Sequence, residues 1–152
     1  MGAIDQAMQS DHERLDRILA ATAQAVEAGR WQEAREALAK FRHGIEEGHM
    51  VVEEQALFPA FEGREGGSEH PLTALLRKGH QDLRIFFAEM AEAIAAEDAE
   101  EFGDLYSTVQ IILQQHDAKE ESELYPFLAE ALADHGAAVT EQMERAAREE
   151  PE

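Results

Sequence analysis

The chain has 152 residues, enough for one domain with a real core, and is 44% apolar and 30% charged, the balance of an ordinary globular protein. It contains no Cys, which excludes disulfides, thiolate metal sites and cysteine nucleophiles. Its formal net charge of −20 opposes contact with phosphate backbones or anionic lipid, and suits either a solvated acidic shell or a field that draws in cations.

The apolar pattern is helical almost throughout. Ser10 with Glu13 reads as a capping box, and Ile4, Met8, Leu15, Ile18, Leu19, Thr22 and Val26 form the stripe of a first helix that ends at Gly29. Trp31, Ala34, Leu38, Phe41, Ile45, Val52 and Ala56 form the stripe of a second, weakened slightly by Gly44 and Gly48 and closed by Pro59. "EGREGGSEHP" is a loop, and Pro71 suits the first turn of a third helix carrying Leu72, Leu76, Leu83, Phe87, Met90 and Ile94. "AAEDAE" turns the chain into a fourth helix, with Phe102, Leu105, Val109, Ile112 and Leu124 running toward Pro126. A short further helix is expected around Ala137 to Arg148, and no strand is predicted. The expected fold is all-α: an up-down-up-down four-helix bundle with a short extra C-terminal helix. It forms a single domain over residues 1–152 with its core at about 10–132. The start "MGAIDQAMQS" lacks the basic and apolar regions of a signal peptide, and no apolar run approaches the roughly 18 to 20 residues of a membrane span. A cytoplasmic protein with no nucleic-acid and no membrane partner is expected.

One block is written twice. Residues 49–58 read "HMVVEEQALF" and residues 116–125 read "HDAKEESELY", each followed by a proline. "DHERL" and "GHQDL" form a second, shorter pair. His12 and His80 are 68 residues apart, and His49 and His116 are 67 apart, so the chain is a duplicated helical hairpin. Each His interrupts an apolar stripe, and Glu53 and Glu120 share a face with the His four residues earlier. Helix rise puts the four His at about one depth: His12 and His49 are roughly 25 and 28 Å from the first turn, and the second hairpin matches.

A lone His on an apolar stripe is usually a satisfied core residue. Two His-x-x-x-Glu pairs, two further His at matched depth and a duplicated frame point instead to metal. Burying two carboxylates without partners costs several kcal/mol each, on the order of the penalty for any unpaired buried ion, and these stripes carry no basic residue. Imidazole with carboxylate suits iron, manganese or zinc, and four His with two Glu exceed one tetrahedral zinc site. The donor set fits two ions, one held by His12 and His49 and the other by His80 and His116, with Glu53 and Glu120 bridging. Glu54 and Glu121 are turned about 100° from the bridges. They serve as further ligands, as acceptors for imidazole N–H groups or as solvated acids, the last two being favoured. His43, His70 and His135 read as surface or loop residues, and Phe58 and Tyr125 as core closure. A redox-active phenol at Tyr125 or Tyr106 is the lesser alternative.

Through "DHERLD", "HMVVEEQALFP", "GHQDL" and "HDAKEESELYP" the chain resembles the hemerythrin-like, or HHE cation-binding, domains over most of residues 10–132. The resemblance implies a four-helix bundle around a non-haem pair of iron ions with an oxo or hydroxo bridge. It implies the ligands His12, His49, Glu53, His80, His116 and Glu120. Two departures stand out. Oxygen-carrying members have another His four residues from the one matching His80, where this chain has Leu76 and Arg84. Their second carboxylate is an Asp five residues after the last His, whereas Glu120 follows His116 by four and Glu121 by five. The missing imidazole leaves an open position on both irons. The leading expectation is a protein that binds or senses dioxygen or a related small ligand. The alternatives are a di-iron redox enzyme acting on peroxide, nitric oxide or ferrous iron, an iron store or buffer, and a structural metal pair such as zinc.

Overall fold

A computed structural model of the chain describes residues 3–67 and 70–128, together with 141, 142 and 145. The described residues form four long helices and no strand. Helix α1 is Ala3–Glu27. Helix α2 begins as Trp31–Arg42 and continues without a break to Phe58–Arg64. Helix α3 is Pro71–Ala95, and helix α4 begins as Ala99–Lys119 and ends in the tight turn Tyr125–Phe127. Packing of α1 on α2 and α4, and of α3 on α2 and α4, closes the up-down-up-down bundle. The helix expected over Ala137–Arg148, and His135, lie largely outside the described residues.

The two hairpin turns are built alike. Gly29 N–H donates to the Val26 carbonyl and Arg30 N–H to the Ala25 carbonyl; Glu97 and Asp98 repeat this on Ile94 and Ala93. Both turns need a left-handed residue, supplied by Gly29 (φ 72°) and, less comfortably, by Glu97 (φ 54°). Helix α3 starts at His70, whose ring nitrogen accepts the Leu72 N–H at 3.0 Å, with Pro71 in the first turn. His70 lies in the loop, as the sequence reading has it, and also caps the helix. Asp98 caps α4 by accepting from Glu101 N–H.

Two sequence expectations move. Ser10 and Glu13 lie inside α1, which already includes Ala3, about two turns earlier, because Ile4 and Met8 are buried and hold that segment on the bundle. Pro59 does not close α2. A π turn, Glu53–Leu57, precedes it, and helix Phe58–Arg64 begins with Pro59 in its first turn. The wider turn breaks the regular hydrogen-bond ladder at the point where the proline has no N–H to give. The second half repeats the device at Glu120–Leu124, before Pro126. A further π segment, His43–His49, occurs in α2 alone. It accounts for the unequal repeat: His49 lies 18 residues past the start of α2, and His116 lies 17 past the start of α4. A π segment absorbs one extra residue and brings His49 back to the level of His116.

The core has two apolar bodies. Toward the hairpin turns lie Leu15, Leu19, Leu38, Phe41, Leu83, Phe87, Met90, Phe102 and Val109, with Phe41 and Phe87 edge to face at 5.0 Å. At the other end lie Met8, Val52, Leu57, Phe58, Phe61, Leu76, Leu124 and Tyr125. Each large side chain buried this way contributes roughly 1.5–3 kcal/mol. Between the two bodies sits a polar layer that contributes no such term and needs its own compensation.

Candidate metal centre

The polar layer holds all six predicted donors. His12, His49, Glu53, His80 and Glu120 are buried and His116 is nearly so. Their donor atoms form two overlapping groups that could hold a metal: His12, His49, Glu53 and Glu120, and Glu53, His80, His116 and Glu120. Glu53 and Glu120 belong to both, as bridging carboxylates must. Each of them opens one of the paired π turns, which aims its side chain inward.

The second group is short of partners. His80 Nε2 lies 3.1 Å from Glu53 Oε1, and His116 Nε2 lies 3.3 Å from Glu120 Oε2. None of these four atoms has a hydrogen-bond partner, and all are removed from solvent. Among the described residues the only other buried side-chain atom in that state is Asp5 Oδ1. The ion-pair partners of Glu53 and Glu120 among the described residues are histidines. Such clustering of unmet polar atoms is costly in protein terms, and a cation at the shared centre satisfies all of them at once.

Around the donors stands a ring of carboxylates. Asp11 Oδ2 accepts from His49 Nδ1 at 2.8 Å, Glu54 Oε2 from His80 Nδ1 at 2.7 Å, and Glu121 Oε2 from His12 Nδ1 at 3.0 Å. Each fixes the tautomer that turns Nε2 inward as a ligand atom and raises the ring's basicity. The carboxylates are steadied in turn: Arg14 holds Asp11, and Arg84 grips both oxygens of Glu54 at 3.0 and 3.2 Å. Burial and that pair of partners oppose each other at Glu54, and His80 with Arg84 win, taking its carboxyl down to about 2.

Electrostatics in the inner layer show the same demand for positive charge. Burial works against the charged form of His80, but the surrounding carboxylates of Glu120, Glu53 and Glu54 carry it up to about 10. Burial and His49 oppose His12, and Glu120 and Asp117 carry it up to about 9. Burial alone would raise Glu120, yet its close neighbours Glu53, His116, His12 and His80 hold it well below the usual range. Protons on His12, His49 and His80 thus offset the carboxylates when no cation is bound. A bound cation does so more completely, and binding it releases those protons.

The chain's sequence also matches a family model, the Hemerythrin HHE cation binding domain, over residues 3–128. The chain belongs to this family. No curated protein matches the chain, and no solved structure matches it either.

As an HHE domain, the chain binds a cation, and the donor groups give that activity a place. Glu54 and Glu121 take the outer position, each reaching across to the histidine of a neighbouring helix. Two features escaped the sequence reading, and a third was read mainly as core. Asp11, next to His12, serves His49 instead. Asp117 lies 3.4 Å from His12 Nε2, and burial takes its carboxyl up to about 7 against the pull of His12. The third is Tyr125, fully buried as core closure requires, whose hydroxyl also reaches into the first donor group.

The two groups also meet the surface differently. A cavity of about 220 Å³ between α1 and α4 is lined by Asp16, Tyr106, Gln110, Gln114 and Asp117 and lies beside the first. A wider cleft of about 580 Å³ between α3 and α4, lined by Leu75, Leu76, Gly79, Ile112 and His116, borders the second at His116. Gly79 is required there: a Cβ at that position would come within 2.7 Å of His116 Nδ1. No helix among the described residues is long and apolar enough to cross a membrane.

Proposed function

We propose that the chain is a non-haem di-iron protein that binds or senses dioxygen or a related small ligand. The ions would be held by His12, His49, His80 and His116, with Glu53 and Glu120 between them. The observation that carries the proposal is the set of four buried atoms without partners: Glu53 Oε1, His80 Nε2, His116 Nε2 and Glu120 Oε2. Mixed imidazole and carboxylate donors favour iron or manganese over a single closed zinc site.

An iron pair, when bound, supplies a redox-active centre able to take up a small ligand. The chain's own residues do the rest. Asp11, Glu54 and Glu121 orient three imidazoles and hold their Nδ1 protons. Ile45, Val52 and Leu83 are buried beside the donors and exclude water. The cleft over Gly79 offers an apolar approach suited to a small uncharged ligand. Cytoplasmic residence follows as part of the same proposal.

The test is anaerobic reduction of iron-loaded protein, followed by optical spectra on exposure to oxygen, with metal measured on the same sample. A persistent visible band that reverses on removing oxygen supports ligand binding. Rapid bleaching with turnover of added peroxide replaces it with an enzyme. Near-stoichiometric zinc that iron cannot displace replaces it with a structural site.

A further inference from the structure

Tyr125 sits where a simple core residue has no reason to be. Its hydroxyl lies 2.7 Å from Glu53 Oε2, 3.1 Å from Glu120 Oε1, 3.2 Å from His12 Nε2 and 3.4 Å from His49 Nε2. These are one donor atom from each member of the first group. A phenol has one proton, so it can donate to one of the four. Its contact with the other carboxylate then sets lone pair against lone pair, in a layer removed from water, whatever protons His12 and His49 carry. With one positive ion among them, the contacts become favourable.

The distances carry the argument further. Ligands about 2.1 Å from a common ion stand about 3 Å apart when adjacent. The hydroxyl keeps that separation from all four donors. An ion seated among them must therefore share its coordination sphere with the Tyr125 oxygen or expel a fully buried side chain. Expulsion is opposed by the packing around the ring, where Val52, Leu57, Phe58 and Leu124 are all buried. The site reaches this geometry because Tyr125 opens the tight turn directly after the π segment that begins at Glu120.

We propose that the Tyr125 oxygen is a protein ligand of the ion held by His12, His49, Glu53 and Glu120, so that the two metal positions are chemically different. The proposal rests on the di-iron reading above. As the ion binds, the phenol O–H bond breaks, the proton leaves to solvent, an oxygen–metal bond forms and no electron is transferred. The first ion then has five protein donors. The second keeps four and faces the cleft over Gly79, so a small ligand arriving from solvent binds there. The two irons are therefore not equally open, as the sequence alone suggests.

The experiment uses the whole chain, loaded anaerobically with ferrous iron and then oxidised by air. The wild type is expected to show a visible phenolate-to-ferric charge-transfer band, with tyrosinate ring modes in the resonance Raman spectrum. Tyr125→Phe loses both, and Tyr106→Phe keeps them. The chain has two Tyr, so Tyr106→Phe protein made with ring-deuterated tyrosine assigns the modes to Tyr125 even where Tyr125→Phe fails to fold. Ferric iron bound in the wild type without a phenolate band overturns the inference and leaves the metal reading intact. Survival of the band in Tyr125→Phe overturns it equally. A chain that binds no iron removes the metal reading, and the inference falls with it.

Discussion

Around His12 and His49 the Tyr125 hydroxyl touches every donor, whereas around His80 and His116 the donor atoms have no hydrogen-bond partner. The equivalent of Tyr125 in the repeat is Phe58, nine residues past His49 as Tyr125 is nine past His116. Phe58 packs its ring 5.3 Å from that of His80. The outer carboxylates differ as well: His12, His49 and His80 each have one on Nδ1, and His116 instead presses its Nδ1 edge toward Gly79. Duplication of one hairpin supplies two equivalent half-sites. Differences between the halves place the Tyr125 hydroxyl among one group and set the other beside the cleft at His116. The lesson is that a symmetric pattern of His and Glu in the sequence need not give two equivalent surroundings in the fold.

What the halves share is tested by the largest expected effect. Glu120→Ala removes a donor common to both groups and should abolish stable binding of both ions, read as metal retained per chain after desalting. Retention of one ion would mean that the carboxylate serves one half alone. The half beside the cleft is tested next. Gly79→Val drives side-chain atoms into the His116 ring, so metal content should fall from two toward one, with the first position still loaded. Equal loss from both positions would erase the distinction between them. Glu54→Ala frees His80 and should weaken metal binding about 10–100-fold, the usual cost of losing a carboxylate behind a ligating histidine. Competition with a calibrated chelator measures it. The smallest effect concerns the hairpin turns, where the first half has Gly29 and the second Glu97 in the left-handed position. Glu97→Gly should stabilise the fold by about 1 kcal/mol, seen as a raised midpoint in urea, and Gly29→Ala should do the opposite.

The bundle was legible in the sequence because every helix carries a period-3.6 stripe and Gly29, Pro71 and Pro126 fall at helix ends, although Gly44, Gly48, Pro59 and Gly79 lie inside helices. The six donors were legible because His-x-x-x-Glu occurs twice at matched depth on apolar faces. Glu54 and Glu121 could be assigned outward from their angle on the helix, although not to particular histidines. Asp11 could not be assigned, since its partner His49 is set by how α1 lies against α2 rather than by adjacency to His12. The π turns leave one trace, the mismatch between spacings of 68 and 67. Those paired at Glu53 and Glu120 leave none, because they occur equally in both halves. Tyr125 reads like Phe58, an aromatic before a proline. Its distinct role depends on a single oxygen whose position only the folded chain reveals.

Ferrous iron titrated anaerobically into chelator-stripped protein, with the ions retained per chain counted after desalting, bears most directly on the claim that the buried acidic layer exists to hold a pair of cations. Two ions retained per folded chain is the expected result. A chain that folds as well without metal and retains no iron would contradict it.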